Sequence, residues 1–183
     1  MLEVAKEKKP CPFEKIHPSQ LHRDDEFFMK MAYNKAVEGW EADEVPVGAV
    51  VARGEELIAS ARNETRVAND PTAHAEMIAI TQAANAIGDW RLNECRLYVT
   101  KEPCPMCSGA IIMSRIGETH FGIGDPKMGC LGGASDLNSL PNANHRTKIS
   151  SGILAEESAA LLQNYFRIKR QEKENRGRQL TVE

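Results

Sequence analysis

Two short motifs hold most of the chemical content of this sequence: His74-Ala75-Glu76, and Pro103-Cys104-Pro105-Met106-Cys107. Cysteines three apart at the start of a helix share one face, and the free amides there favour thiolates, so both sulfurs can reach one cation at about 2.3 Å. An imidazole from a neighbouring helix makes a third ligand. A closed structural zinc site needs a fourth protein ligand, and neither a second Cys-x-x-Cys nor a His-x-x-x-His pair supplies one. Three ligands leave a position for water, whose pKa zinc can lower to about 7, and a carboxylate two residues from the ligating histidine can move its protons. Such a set fits hydrolytic attack on an electrophilic carbon that carries an amine leaving group.

Each half alone has a plainer explanation. Cys104 and Cys107 by themselves fit a redox pair or half of a structural zinc site, His74 fits a helix-capping or core histidine, and Glu76 a solvated acid in a first helical turn. Together they match the H-x-E and P-C-x-x-C signature of zinc deaminases position by position.

The elements that position these residues follow from hydrophobic periodicity. Phe27, Phe28, Met31, Ala32, Ala36 and Trp40 recur at three- and four-residue steps, which predicts a helix over 27–40. Residues 45–52 read as a buried strand, 53–56 as a tight turn and 57–61 as the returning strand of a hairpin. Asp70-Pro71-Thr72 signals a helix start, with the helix expected over 72–86. A short strand at 97–100, a helix over 105–114 and a strand at 119–122 follow. Residues 123–146 lack periodicity and form a long loop of the kind that usually has a function. A helix over 153–173 closes the pattern. Strands alternating with helices place the chain in the α/β class.

Composition bounds the remaining choices. The 183 residues, 42% hydrophobic and 27% charged, suit one domain that buries roughly 70% of its unfolded surface. The longest apolar stretch falls well short of the ~20 residues that span a bilayer, and the N-terminal segment has no apolar core of a secretion signal. Five cysteines without such a signal read as reduced thiols, so the cytoplasm is the expected compartment and no membrane is expected as a partner. Residues 1–22 are expected to form a flexible leader, and 23–183 a single domain. Net charge is −3, yet residues 165–183 carry six cations against three acids, a basic edge for a polyanion. Aromatic residues make up only 5%, which disfavours a row of base-stacking platforms.

Over residues 24–172 the sequence resembles the bacterial tRNA-specific adenosine deaminases of the cytidine deaminase-like zinc superfamily. Besides the metal motif, the similarity runs through Glu44-Val45-Pro46-Val47-Gly48, Asn63, Asp70-Pro71-Thr72, Leu97-Tyr98-Val99-Thr100, Glu102, Ser114-Arg115-Ile116, Asp125, Lys127, Asn144-His145-Arg146 and Phe166-Arg167. The resemblance implies a three-layer α/β/α sandwich with a mixed five-stranded sheet, a homodimer, and a tRNA anticodon stem-loop whose wobble adenosine becomes inosine. It implies one Zn2+ per subunit on His74, Cys104 and Cys107, with Glu76 moving protons. It places Asn63 and Val47 against the base, and Asp125, Lys127, Asn144, His145, Arg146, Phe166 and Arg167 against the RNA. Glu102, beside the cysteine corner, reads as structural. The segment Asn138-Ser139-Leu140-Pro141 departs from the pattern, lacking the histidines some relatives carry before Pro141. Two alternatives share these motifs: a guanine or cytosine/cytidine deaminase with the same zinc chemistry, and a non-catalytic zinc or redox module that binds RNA.

Overall fold

A computed structural model describes residues 10–180, with side chains through residue 176. Residues 1–9 of the leader, and Arg178 and Glu183 of the basic run, lie outside the described side chains. The element order is α1 (Asp25–Glu41), β1 (Gly48–Arg53), β2 (Glu56–Arg62), α2 (Ala75–Ile87), β3 (Cys95–Lys101), α3 (Pro105–Met113), β4 (Glu118–Ile123), a 3-10 turn (Leu137–Ser139), β5 (Lys148–Ser151) and α4 (Ala155–Leu180).

The five strands form one mixed sheet in the order β2-β1-β3-β4-β5. β1 is antiparallel to β2 and β3, whereas β3, β4 and β5 run parallel. Side chains alternate across a strand, so β1 and β3 each serve two cores. Ala49, Val51, Leu97 and Val99 pack with Ala75, Ala79, Ala83 and Ile111 from α2 and α3. Val50, Ala52 and Tyr98 pack with Phe27, Phe28, Met29 and Ala32 of α1 on the opposite side. α4 joins the α1 layer through Leu161 and Tyr165 against Tyr33, Val37 and Trp40. The result is the expected three-layer α/β/α sandwich. Phe28 and Met29 are fully buried, each contributing about 1.5–3 kcal/mol of transfer free energy.

Several expected boundaries shift for identifiable reasons. The strand expected from residue 45 begins at Gly48, because Pro46 has no N–H to donate and Val47 N donates to Val45 O (2.8 Å) instead of a neighbouring strand. The helix expected from residue 72 begins at Ala75. Asp70 does cap backbone, but in a local turn: its Oδ1 accepts from Thr72 N and Thr72 Oγ1, both at 2.7 Å. The long loop ends in β5, which periodicity did not reveal since all four of its residues are exposed. The last helix runs on to Leu180.

Residues 10–22 of the expected leader are described. No helix or strand forms over residues 10–22, but the segment is not separate from the domain. Cys11, Phe13 and Ile16 pack on the α1–α4 cluster, and Asn34 pairs with the Ile16 backbone, accepting from N at 2.7 Å and donating to O at 2.8 Å. Among the described residues no helix is long and apolar enough to cross a membrane.

Candidate active site

Strand register gathers the motifs at one end of the sheet. Because β1 is antiparallel to both neighbours, Gly48 pairs with Arg62 at the end of β2, and Ala49 with Val99 near the end of β3. β4 parallels β3 and ends beside it at Ile123. Val47, Asn63, the Glu102-Pro103-Cys104 corner and Asp125 therefore leave the sheet on the same side. A backbone bond from Glu64 N to Ala73 O (3.0 Å) closes the β2–α2 connection and brings Asn63 toward His74.

His74 and Cys104 are the N-cap residues of α2 and α3, and neither side chain makes a capping hydrogen bond. Both point to a common spot instead. His74 Nδ1 is 3.7 Å from Cys104 Sγ and 3.5 Å from Cys107 Sγ, and the two sulfurs are 3.6 Å apart. Ligands of one tetrahedral zinc, with bonds of about 2.0–2.3 Å, stand about 3.5–3.8 Å from one another, so this donor set fits that ion. The Sγ–Sγ hydrogen bond with Cys107 holds the Cys104 thiol down to about 3. The same bond, with burial, pushes Cys107 up. The bond with Cys104 also raises His74.

Glu76 sits in the first turn of α2 and is buried, 4% exposed. Burial pushes its carboxyl up from the ordinary value. A carboxyl with a raised pKa is a better proton acceptor than an ordinary one.

Val47 and Asn63 leave the hairpin at this same end of the sheet. Val47 O accepts from Asn63 N at 3.0 Å, both side chains are largely buried, and among the described residues the Asn63 side-chain amide forms no hydrogen bond. That amide is free to meet a purine edge as donor and acceptor. The β2–α2 loop behind it is folded around Glu44, fully buried, which accepts from Thr65 Oγ1 (3.1 Å), Arg66 N and Val67 N (both 2.8 Å).

The expected RNA-facing residues divide into groups. Asp125 stands at the end of β4 but its carboxyl is engaged, ion-paired with Lys101 and accepting from Lys127 N at 2.9 Å. Lys127 is exposed nearby. Phe166 is 41% exposed on α4, packed edge-on to Tyr165, and Arg167 donates to Asn164 Oδ1 at 2.9 Å. Lys169 pairs with Asp43, which also holds Arg66 at 2.6 Å, and Tyr165 Oη donates to Asp43 O at 3.2 Å. This network ties the basic helix to the β2–α2 loop on the same side as the donor cluster.

Asn144, His145 and Arg146 are placed elsewhere. They precede β5, whose Lys148 pairs with Glu118 at the start of β4, which puts them at the opposite end of the sheet. His145 Nε2 donates to Ile116 O (2.7 Å), while Arg146 donates to Asn138 O (2.7 Å) and Leu140 O (3.2 Å). Sequence patterns missed Asp43, Glu44 and Lys101, because each acts through a partner more than twenty residues away or on another element.

Fold and donor set define a deaminase-type metal centre in an α/β/α sandwich. Residues 23–170 match the family model for MafB19-like deaminase. The chain is 44% identical over 149 residues to the tRNA-specific adenosine deaminase of Bacillus subtilis (strain 168), covering 81% of this chain and 92% of that one. It is 43% identical over 143 residues to the enzyme of the same name from Agrobacterium fabrum, with 78% and 94% covered. A solved structure from work on A-to-I editing by tRNA:A34 deaminases at the wobble position superposes with a TM-score of 0.70 at 42% identity, over 74% of this chain and 99% of that one. The chain belongs to this deaminase family, among the tRNA-specific adenosine deaminases.

Proposed function

We propose that this protein converts adenosine to inosine at the wobble position of a tRNA anticodon loop. The observation that carries this is the cluster of His74, Cys104 and Cys107 donors beside buried Glu76. Relatives at 44% and 43% identity bear the name of that activity. His74, Cys104 and Cys107 would hold one Zn2+ per subunit, which when bound supplies an electrophilic centre that makes water acidic at neutral pH.

Glu76 accepts a proton from the attacking water and delivers it to N1, while the water oxygen bonds to C6. Glu76 then takes the remaining hydroxyl proton and hands it to the departing amine. The C6–N bond breaks, ammonia leaves and the inosine carbonyl forms. Asn63 and Val47 hold the flipped base. Lys127, Phe166 and Arg167 meet the RNA around it, with Asp125 setting the loop that carries Lys127. Asn144 offers an exposed amide at the far end of the sheet, where His145 and Arg146 shape the loop through their carbonyl contacts.

We expect a homodimer acting in the cytoplasm, the oligomeric state to be read by sedimentation. The direct test incubates the zinc-loaded protein with an adenosine-containing anticodon stem-loop, beside guanine and cytidine. Inosine and ammonia from the stem-loop are expected. Rapid turnover of guanine or cytidine with no inosine would reverse the assignment to a free-base or nucleoside deaminase. Full activity without metal, or with a Cys104–Cys107 disulfide, would sink the mechanism.

A further inference from the structure

Glu102 accounts for more than filling space beside the cysteine corner. Its side chain is buried, 3% exposed, and both oxygens accept backbone N–H groups from one arc of chain. Oε2 accepts from Asp125 N at 2.8 Å, and Oε1 from Leu131 N at 3.0 Å and Gly133 N at 2.8 Å. The arc closes tightly on the carboxyl. A Cβ at Gly129 would stand 2.2 Å, and one at Gly133 2.3 Å, from Oε2. Between these points Cys130 N donates to Pro103 O at 2.9 Å, and Ser108 Oγ donates to the same carbonyl at 3.1 Å. One buried side chain and its neighbouring carbonyl thus clip residues 125–133 to the turn that presents Cys104.

We propose that Glu102 is a positioning residue, a latch that fixes the 125–133 arc against the metal-ligand turn so that Lys127, on the loop set by Asp125, stands ready for the RNA substrate. The role in substrate handling rests on the function proposed above; the latch itself does not. The chemistry of the acceptor decides the matter. Three converging N–H donors require a group with acceptor capacity on both oxygens and no competing hydrogen. A glutamine of the same shape must turn an NH2 toward at least one of those donors, so the arc loses a bond and meets a donor–donor conflict. Cys104 stays anchored because α3 and β3 hold its turn from either side.

The test uses the full chain loaded with zinc and the variants E102Q and E102D. E102Q is expected to keep one zinc per chain, to raise KM for an anticodon stem-loop about tenfold and to change kcat less than threefold. Amide exchange at Asp125, Leu131 and Gly133, followed without substrate, should accelerate at least tenfold in E102Q, with exchange in β1 and β3 unchanged. E102D keeps the acceptors but shortens the reach, so it should fall between the two. Gly133→Ala, which pushes the arc off an intact Glu102, should reproduce the rise in KM. Unchanged exchange at the three amides overturns the latch. Loss of zinc, or a fall in kcat with KM unchanged, overturns the positioning role, since the side chain would then serve the metal turn or the chemistry. If the wild-type chain makes no inosine from the stem-loop, the proposed function fails, and the exchange measurement still decides the latch.

Discussion

His74 Nδ1 and Cys104 Sγ lie 3.7 Å apart although each residue caps a different helix and neither helix receives a side-chain cap from it. Two positions where Ser, Thr, Asp or Asn would ordinarily stabilise a helix start are given to a common donor cluster instead. Replacing His74 with Asp should abolish zinc binding and inosine formation. Stripped of metal, that variant should nonetheless be more stable than the stripped parent by about 1 kcal/mol, because aspartate supplies the missing cap. Thermal denaturation of both chelator-treated proteins checks this, and a lower melting temperature for the variant refutes the cap argument.

Glu76 separates catalysis from metal binding. Glu76→Gln preserves volume and leaves His74, Cys104 and Cys107 in place, so zinc content should stay near one per chain. Turnover of the stem-loop should drop by about 10²- to 10⁴-fold, the usual worth of a positioned general acid–base. Zinc analysis and single-turnover inosine formation on one preparation read both quantities. Retention of full activity would assign proton transfer to another group.

Asp43 makes stability depend on pH in a direction its contacts set. Partial burial alone would raise its carboxyl, but the hydrogen bond and charge of Lys169, followed by those of Arg66, outweigh it and hold the group below the usual carboxylate range. A depressed folded value means the contribution is present above the unfolded pKa of about 3.9 and disappears as pH falls through the folded value. Asp43→Asn, which tolerates the positive φ of 63° at this position, should lower the melting temperature at pH 7 and converge with the parent once the pH has fallen below the depressed folded value. The side chain is 37% exposed, so the loss should be modest and shrink in added salt. An equal loss at both pH values would show that charge plays no part.

The basic helix should reveal itself through salt. Among the described residues Arg167 is bound only to a neutral asparagine oxygen, whereas Lys169 is already paired with Asp43 and Glu172. Arg167→Ala is expected to weaken stem-loop binding and to reduce the slope of log K against log salt by about 0.7–0.9, one phosphate contact. Lys169→Ala should instead act mainly on stability, by freeing Asp43 and Arg66. Titrations at several salt concentrations, paired with melting curves, distinguish the two, and an unchanged slope for Arg167→Ala removes that residue from the RNA face.

Much of this architecture was legible from residue order. The apolar spacing in α1, the continuous apolar run that becomes β1, and the Cys104–Cys107 interval are local properties, each recorded within a few residues of the chain. The donor set was also legible, because metal ligands must be of particular types at particular intervals. The edge strand β5 was not, since its four exposed residues have no buried face and it forms by backbone pairing with β4.

The chain by itself determined the types and spacing of the histidine and two cysteines that could share a cation, the acid two residues from that histidine, and most of the segments that become helix or strand, since these depend on side-chain chemistry and short-range periodicity. Tertiary structure alone decided that Asp125 spends its carboxyl on Lys101, that His145 and Arg146 brace the far end of the sheet, and that Glu102 gathers three amides from a distant arc. Those choices are made by polar groups finding partners across long loops, where any one of many acceptors would satisfy the same donor and only the packed sheet selects among them.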